Sequence, residues 1–440
     1  MTMSVPHTPL YQRSLSLDHQ ELINLISNQQ DILIIQDLDG VCMKLVKNPL
    51  TRIIDKNYVE ATKLFQGHFF VLTNGEHIGK CGVNAIVDRT LNDINLGKSR
   101  GLYLPGLAGG GVQWQDCYGN VSHPGVSEEE LNFLQQVPQK LEKALIEFFK
   151  QNNCGLEENK IKEGIQLTVL DNKVSPTVNL NIFHEYLQHQ EDSYRKLQQT
   201  IKTLMDNLQE KAKHQGLNNS FFVHYAPNLG KDPQEREIMQ IAKGKDSGTT
   251  DFQFMLRGAI KELGVLVILN RYFYKKTGKY PLGEYFNARQ SPKDNHKLLE
   301  LINDNFDPIQ MPTIIGVGDT VTSKAKEVNG ELIFQRGGSD RGFLQLIQEI
   351  GKKFETGNIT VYIDSSDGEV KNRQSLKLEK LINYKNINSS KELRVISGPG
   401  DYRDKDDLLT LNVVFPGGYK QYIKFFIKAA ITRYHKNFYD

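Results

Sequence analysis

The sequence has little of several features that mark special classes of protein. It holds four cysteines, at positions 42, 81, 117 and 154, too far apart to suggest a zinc site or a disulfide framework. No apolar run approaches the roughly 20 residues that a membrane-spanning helix needs. Residues 1–20 are also too polar for a secretory signal. We therefore expect a soluble, cytoplasmic protein whose cysteines are reduced.

An excess of charge of one sign is also absent. The chain has 54 Lys and Arg against 52 Asp and Glu, which gives a net charge of +2. A nearly neutral protein is not attracted strongly to nucleic acid or to a membrane surface. We therefore expect a small-molecule substrate, and neither nucleic acid nor membrane as a partner.

What the sequence does have is a repeated order of apolar strand, polar end and helix. Three apolar runs are predicted to be buried parallel strands, at 32–35, 69–72 and 313–317. The polar residues that follow them are Asp37 with Asp39, Thr73 with Asn74, and Asp319. This alternation predicts an α/β fold with a Rossmann-like parallel sheet, whose functional site lies at the carboxyl ends of the strands.

A block of mixed helices and strands interrupts the parallel pattern. Residues 128–150 have the period of an amphipathic helix, which Pro138 should kink or split. We expect residues 1–124 and 227–440 to be two parts of one core domain, and residues 125–226 to be an inserted α+β lid. In the second part of the core we predict a helix over 251–263 and a strand over 265–269.

The polar strand ends suggest phosphoryl-transfer chemistry. Several carboxylates at one sheet edge are costly without a cation, and oxygen ligands of this kind suit Mg²⁺. With Mg²⁺ as cofactor, Asp37 is expected to attack phosphorus as a nucleophile. Asp39 is expected to serve as general acid and then as general base. Thr73 is expected to donate its hydroxyl and its backbone N–H to a phosphate oxygen.

These motifs carry a resemblance to the haloacid-dehalogenase superfamily. The stretch Asp37-Leu-Asp39-Gly-Val resembles its first motif, residues 69–73 its second, and residues 314–319 its fourth. The resemblance implies a core of that type with an inserted type-two cap. It also implies a metal held by Asp37, the backbone carbonyl of Asp39, and Asp319.

The sequence departs from the superfamily pattern in two places. A second acid should follow Asp319 within a few residues, but none does. Asp340, which follows a predicted hairpin, is expected to supply it, although a role as a helix cap is nearly as plausible an interpretation. The cation of the third motif has three candidates, Lys243, Lys245 and Arg257, of which we choose Lys243.

Longer stretches resemble a narrower family, the cyanobacterial phosphatases that release the osmolyte glucosylglycerol from its phosphate ester. They are residues 36–43, 71–77, 101–107, 221–230, 246–257 and 415–418. The resemblance implies hydrolysis of 2-O-(α-D-glucosyl)-sn-glycerol 3-phosphate in compatible-solute synthesis and salt tolerance, with the upstream synthase as a possible partner. Two alternatives remain open at this point: a trehalose- or sucrose-phosphate phosphatase, and a non-catalytic regulator of the synthase.

Candidates for contact with the sugar lie beside the phosphate site and in the lid. Those next to Thr73 are Asn74, Glu76 and His77. Those further along the chain are Trp114, His224 and Arg257. For His224, burial with its ring nitrogens satisfied within the protein is the competing interpretation.

Overall fold

The computed structural model describes residues 8–65, 67–170, 172–234, 236–328, 330–380 and 393–439. Its helices are α1 (His19–Asn28), α2 (Lys56–Lys63), α3 (Val83–Leu91), α4 (Ile94–Ser99), α5 (Glu128–Gln135), α6 (Val137–Gln151), α7 (Glu158–Thr168), α8 (Asn181–Tyr186), α9 (Glu191–His214), α10 (Lys261–Thr277), α11 (Asn295–Asn305), α12 (Arg341–Phe354) and α13 (Gly418–Tyr439).

The strands of the core are β1 (Ile32–Gln36), β2 (Phe69–Leu72), β3 (Gly106–Ala108), β4 (Gln113–Gln115), β5 (Val121–Ser122), β12 (Thr313–Gly318), β15 (Ile359–Ile363) and β18 (Val413–Phe415). Those of the insertion and of the hairpins are β6 (Val169–Leu170), β7 (Thr177–Asn179), β8 (Phe221–Ala226), β9 (Asn228–Lys231), β10 (Glu237–Met239), β11 (Asp251–Leu256), β13 (Thr322–Val328), β14 (Glu331–Gly337), β16 (Lys377–Lys380) and β17 (Leu393–Ser397).

The core is built on one eight-stranded sheet in the order β18-β15-β12-β1-β2-β3-β4-β5. The six strands from β18 to β3 are parallel, and β4 and β5 extend the sheet antiparallel. From β1 the chain moves to β2 and β3 on one side and returns later to β12 on the other. This reversal opens a crevice at the carboxyl ends of β1 and β12, where ligands bind in open α/β sheets.

Both faces of this sheet are covered, which explains why its central strands are mainly apolar. Ile32 and Ile34 of β1 belong to one buried cluster, together with residues of α1, α2 and α13. Leu33 and Ile35 belong to a second cluster, together with residues of α10 and α12. Helices on both faces of a mainly parallel sheet confirm the predicted α/β class.

The inserted unit has its own core and its own sheet. Four antiparallel strands lie in the order β6-β7-β11-β8, and helices α5 to α9 pack around a third apolar cluster. The predicted break at Pro138 is confirmed, since α5 ends at Gln135 and α6 begins at Val137 with the proline in its first turn. A capping box of Ser127 and Glu130 begins α5.

Two local predictions around residues 251–269 are wrong. Residues 251–256 form strand β11, because Asp251-Phe-Gln-Phe alternates polar and apolar side chains with the period of a half-buried strand. Residues 265–269 lie within helix α10, which is buried on nearly all sides and therefore has the continuous apolar run of a buried strand.

The predicted end of the insertion at 226 is also wrong, because β11 pairs with β7 and β8. We propose an inserted unit of residues 125–256.

No helix of the described residues is both long and apolar enough to cross a bilayer. The cysteines that the structure describes form no disulfide.

Candidate active site

Asp37 lies directly beyond the end of β1 and contacts a buried lysine. Its Oδ2 is 2.8 Å from Nζ of Lys261, which also lies 2.6 Å from Oδ1 of Asp340. All three side chains are buried. Lys261 is the first residue of α10, where the helix dipole disfavours a cation. Burial also lowers the pKa of Lys261, but the carboxylates of Asp340 and Asp37 raise it by more, so the lysine stays charged.

Asp340 reaches the site because the hairpin of β13 and β14 brings the chain back to Asp319. Strands β13 and β14 lie between Asp319 and Asp340, and the N–H of Asp340 donates to the carbonyl of Thr320 at 3.2 Å. The expanded loop therefore brings its second acid back to the first. Oδ2 of Asp340 accepts from the backbone N–H groups of Asp319 and Thr320, each at 2.9 Å. Asp340 precedes α12, but its side chain does not cap that helix.

Asp319 follows β12 and has one carboxylate oxygen without a hydrogen bond. Its Oδ1 accepts from the hydroxyl of Thr320 at 2.7 Å. Oδ2 is buried and has no hydrogen-bond partner in the part of the chain that the structure describes, although Nε of Arg373 lies 3.7 Å away. Gly40 faces this oxygen with φ of +80°, and a Cβ at that position would lie 2.2 Å from it. Only glycine therefore fits against the Asp319 carboxylate at this position.

Asp37, Asp319 and Asp340 form a cluster that fits a cation. Carboxylate oxygens from the three residues all lie within 4.8 Å of one another. Burial raises the pKa of Asp37 to about 8 although Lys261 opposes this, and burial raises that of Asp319 to about 6 although Arg373 opposes it. A divalent cation beside the unpartnered oxygen of Asp319 would favour the ionised forms, and oxygen donors of this kind suit Mg²⁺.

Asp39 lies at the mouth of the site, two residues beyond Asp37. Its Oδ1 is 3.0 Å from Nε of Arg52. Both residues line the same pocket as Asp37. Arg52 therefore fixes the side chain of Asp39 over the space in which a phosphate ester would lie.

Thr73 and Asn74 line the other side of the pocket, at the end of β2. The hydroxyl oxygen of Thr73 accepts from the N–H of Gly75 at 3.2 Å, and its hydrogen is available to a ligand. Its backbone N–H donates to the carbonyl of Leu107 at 3.0 Å. The predicted donation of this N–H to phosphate is therefore wrong, because pairing of β2 with β3 already occupies it.

Asn74 connects the core to the inserted unit through His224. Nδ2 of Asn74 lies 2.9 Å from Nε2 of His224, and Nδ1 of that ring lies 2.7 Å from Oε1 of Glu237. With Nδ1–H donating to Glu237, Nε2 accepts from the Asn74 amide. Both ring nitrogens are therefore satisfied within the protein, as in the competing interpretation of His224.

The predicted cation of the third motif lies elsewhere. Lys243, Lys245 and Arg257 are exposed, and none lines the pocket of Asp37. Lys261 is the cation that contacts Asp37. In the predicted helix over 251–263, Lys261 lies near the end, whereas the three candidates were chosen for lying near the expected helix start. As the first residue of α10, its side chain points instead into the crevice.

Three of the residues predicted to contact the sugar, Glu76, His77 and Trp114, make contacts within the protein instead. The Glu76 carboxylate accepts from the N–H groups of residues 173–175, at 2.7 to 2.9 Å, and so anchors the insertion on the core. His77 is fully buried behind the pocket, where burial lowers its pKa to about 4. Trp114 packs against the tilted ring of Phe70 and the guanidinium of Arg271, and it does not line the pocket.

Side chains of both units surround the pocket. From the core it takes Asp37, Asp39, Arg52, Thr73, Asn74, Asp319 and Arg373; from the insertion it takes Asn172, Thr177, Asn179, Thr250, Asp251 and Gln253. An acid pair and a carboxylate cluster thus lie at the switch point of a doubly wound sheet, beneath an inserted polar lid. The fold and the site fit the class that the resemblance in the sequence implies, a phosphatase with a haloacid-dehalogenase core.

Comparison with known proteins narrows this class. A family model described as glucosylglycerol-phosphate phosphatase matches residues 31–430. A glucosylglycerol-phosphate phosphatase of Synechocystis sp. is 53% identical over 424 residues, which cover 96% of this chain and 98% of the relative. The chain belongs to the glucosylglycerol-phosphate phosphatase family, which confirms the resemblance seen in the sequence.

The similarity to solved structures is lower, both in sequence identity and in TM-score. The C-terminal domain of Candida albicans trehalose-6-phosphate phosphatase aligns over 95% of this chain and 98% of its own length, at 10% identity and a TM-score of 0.44. Aspergillus fumigatus trehalose-6-phosphate phosphatase in crystal form 3 aligns over 81% of this chain and 92% of its own length, at 11% identity and a TM-score of 0.34.

Proposed function

We propose that this phosphatase hydrolyses glucosylglycerol phosphate to glucosylglycerol and inorganic phosphate, in the cytoplasm, as a step in the synthesis of an osmolyte for salt tolerance. The observation that carries the proposal is the complete acid pair, Asp37 and Asp39, facing a polar pocket in a chain of this family. Both acids are needed for turnover, which argues against a purely regulatory protein. Association with the upstream synthase remains a prediction.

In the first step, a carboxylate oxygen of Asp37 attacks phosphorus in line with the ester oxygen. The new O–P bond forms as the P–O bond to the glycerol carbon breaks, and Asp39 donates its proton to the departing oxygen. Lys261 balances part of the charge on the resulting aspartyl-phosphate. The Thr73 hydroxyl donates to a non-bridging oxygen.

In the second step, Asp39 accepts a proton from a water molecule that attacks the same phosphorus. The bond between Asp37 and phosphorus breaks, phosphate leaves, and both carboxyl groups return to their starting states. Arg52, which lies 3.0 Å from Asp39, keeps this side chain facing the reacting oxygens in both steps.

Asp37, the backbone carbonyl of Asp39, Asp319 and Asp340 would hold Mg²⁺. The unpartnered Oδ2 of Asp319 supports this assignment. Asp340 also accepts from Lys261 and from two amides, so it fixes the loop that carries Asp319 as well as offering an oxygen to the metal. When bound, Mg²⁺ neutralises charge on the phosphate and on the carboxylates.

Removing divalent cations is expected to lower kcat by about 100-fold or more, because the carboxylates would lose the charge that keeps them ionised. The assay is phosphate release after treatment with EDTA and dialysis. Added Mg²⁺ should restore turnover in the wild type, whereas Asp319→Asn should respond only at much higher concentration. Full activity of the stripped enzyme would contradict the proposed metal site.

Among sugar phosphates, glucosylglycerol phosphate is expected to have the highest kcat/KM. Trehalose 6-phosphate and sucrose 6-phosphate should be poorer by about 100-fold, since each mispaired hydroxyl leaves polar groups of the pocket unsatisfied. The measurement is kcat/KM for each ester at one Mg²⁺ concentration. A preference for either disaccharide phosphate would overturn the substrate assignment while leaving the chemistry intact.

A further inference from the structure

The lid presents a polar sheet face to the reacting carboxylates. Along β11, Phe252 and Phe254 point into the apolar core of the insertion and are fully buried. Asp251 and Gln253 alternate with them, so they lie on the opposite face and line the pocket. Their cross-strand partners on β7 are Asn179 and Thr177, which line it too.

The polar groups of this face are incompletely satisfied. Oδ1 of Asp251 accepts from Nδ2 of Asn179 at 2.8 Å, and its Oδ2 has only a long contact of 3.5 Å with the hydroxyl of Thr250. Oε1 of Gln253, whose side chain is buried, has no hydrogen-bond partner among the described residues. A buried acceptor without a donor is unfavourable, so a ligand that donates a hydrogen bond here is favoured.

The core and the lid contribute different charges to the pocket. The arginines that line it, Arg52 and Arg373, both come from the core, where Arg52 pairs with Asp39 and Arg373 lies near Asp319, and both also attract Asp251 across the pocket. The described residues that the lid contributes include no lysine or arginine, and their one charge is that of Asp251. Phosphate is therefore favoured at the core end, and an anionic group is disfavoured beneath the lid.

We propose that Asp251 and Gln253 form a hydroxyl-reading subsite, which takes the neutral polyol end of the substrate and rejects a substrate that carries an acid there. The proposal rests on the proposed function. Two hydroxyl groups donate to Oδ2 of Asp251 and to Oε1 of Gln253, with Asn179 holding the carboxylate in place. A carboxylate ion cannot replace a hydroxyl here, since it has no proton to donate.

Asp251→Asn tests the subsite, because it preserves shape but removes the charge and one acceptor. For glucosylglycerol phosphate, kcat/KM is expected to fall by about 10- to 100-fold. For phenyl phosphate, which has no hydroxyl groups, the change should stay within about threefold. Gln253→Leu should show the same selective loss. Asp192→Asn, at an exposed position of α9, is the matched control and should leave both values unchanged.

A change of preference gives a readout that a merely structural role would not produce. The wild type is expected to prefer the phosphate ester of glycerol to that of glycerate. Asp251→Asn should shift the ratio of the two kcat/KM values toward the glycerate ester by about 10-fold, because a repulsive charge is lost. Burial raises the pKa of Asp251 to about 6, so assays near pH 8 compare the ionised carboxylate with the amide.

The outcomes separate the two proposals. Equal losses on glucosylglycerol phosphate and phenyl phosphate, with an unchanged preference between the glycerol and glycerate esters, would overturn the subsite and leave the proposed function standing. A wild-type enzyme that hydrolyses phenyl phosphate but not glucosylglycerol phosphate would overturn the proposed function itself.

Discussion

Asp37→Asn is expected to lower kcat for glucosylglycerol phosphate by about 10⁵-fold, the scale seen when a nucleophile is removed from a covalent mechanism. The amide is nearly isosteric with the carboxylate but cannot attack phosphorus. The fold should persist, because Lys261 keeps its contact with Asp340. Burial disfavours the ionised form of Asp37, so the thermal midpoint of the variant should equal or exceed that of the wild type. The measurement is single-turnover phosphate release, with a melting curve beside it.

Asp192→Asn is the matched control for this variant, since it makes the same chemical change on the exposed surface of α9. It should have wild-type kcat and stability. If Asp37→Asn retained a tenth of wild-type turnover while folding normally, a water molecule rather than Asp37 would be the attacking group.

Lys261→Met is expected to have the second largest effect, on activity and on stability together. Removing this lysine leaves Asp37 and Asp340 buried without their shared cation, which typically costs about 3–5 kcal/mol. We also expect kcat to fall by about 10³-fold, because the charge that balances the aspartyl-phosphate is lost. Urea denaturation measures the first effect, and steady-state phosphate release measures the second.

Lys243→Met discriminates between this assignment and the cation chosen from the sequence. Lys243 is exposed in the loop before β11, so its replacement should change stability by less than about 0.5 kcal/mol and leave kcat near the wild-type value. Substantial loss of activity in Lys243→Met, together with normal activity in Lys261→Met, would favour Lys243 instead.

The core was predictable because its signals are local. β1 and β12 are mainly apolar since both sheet faces are covered, and each is followed by an aspartate, Asp37 or Asp319. Parallel strands in a doubly wound sheet bring these ends together, so Asp37, Thr73 and Asp319 were expected to share a crevice, and they line one pocket. Asp340 was expected beside Asp319 because a hairpin can be inserted without moving the residues at its two ends.

The third-motif cation and the lid depend on tertiary context that periodicity does not reveal. Helix α10 is buried on almost every side, so its apolar run resembles a strand, and this error concealed Lys261 at its start. The alternation of Asp251-Phe-Gln-Phe was a usable signal for β11 and hence for the polar face of the lid. Nothing local, however, distinguishes Glu76, which anchors residues 173–175, from a side chain that contacts a sugar.

The central claim, that Asp37 is phosphorylated during turnover, is tested most directly by trapping the intermediate. In Asp39→Asn, 4-nitrophenyl phosphate should still phosphorylate the enzyme, since its leaving group departs without a proton, but hydrolysis of the acyl phosphate should be slow without the general base. Acid quenching and mass spectrometry should find one phosphoryl group on the peptide that contains Asp37. Release of nitrophenolate with no phosphoryl group on the protein, or with one on another residue, would contradict the account.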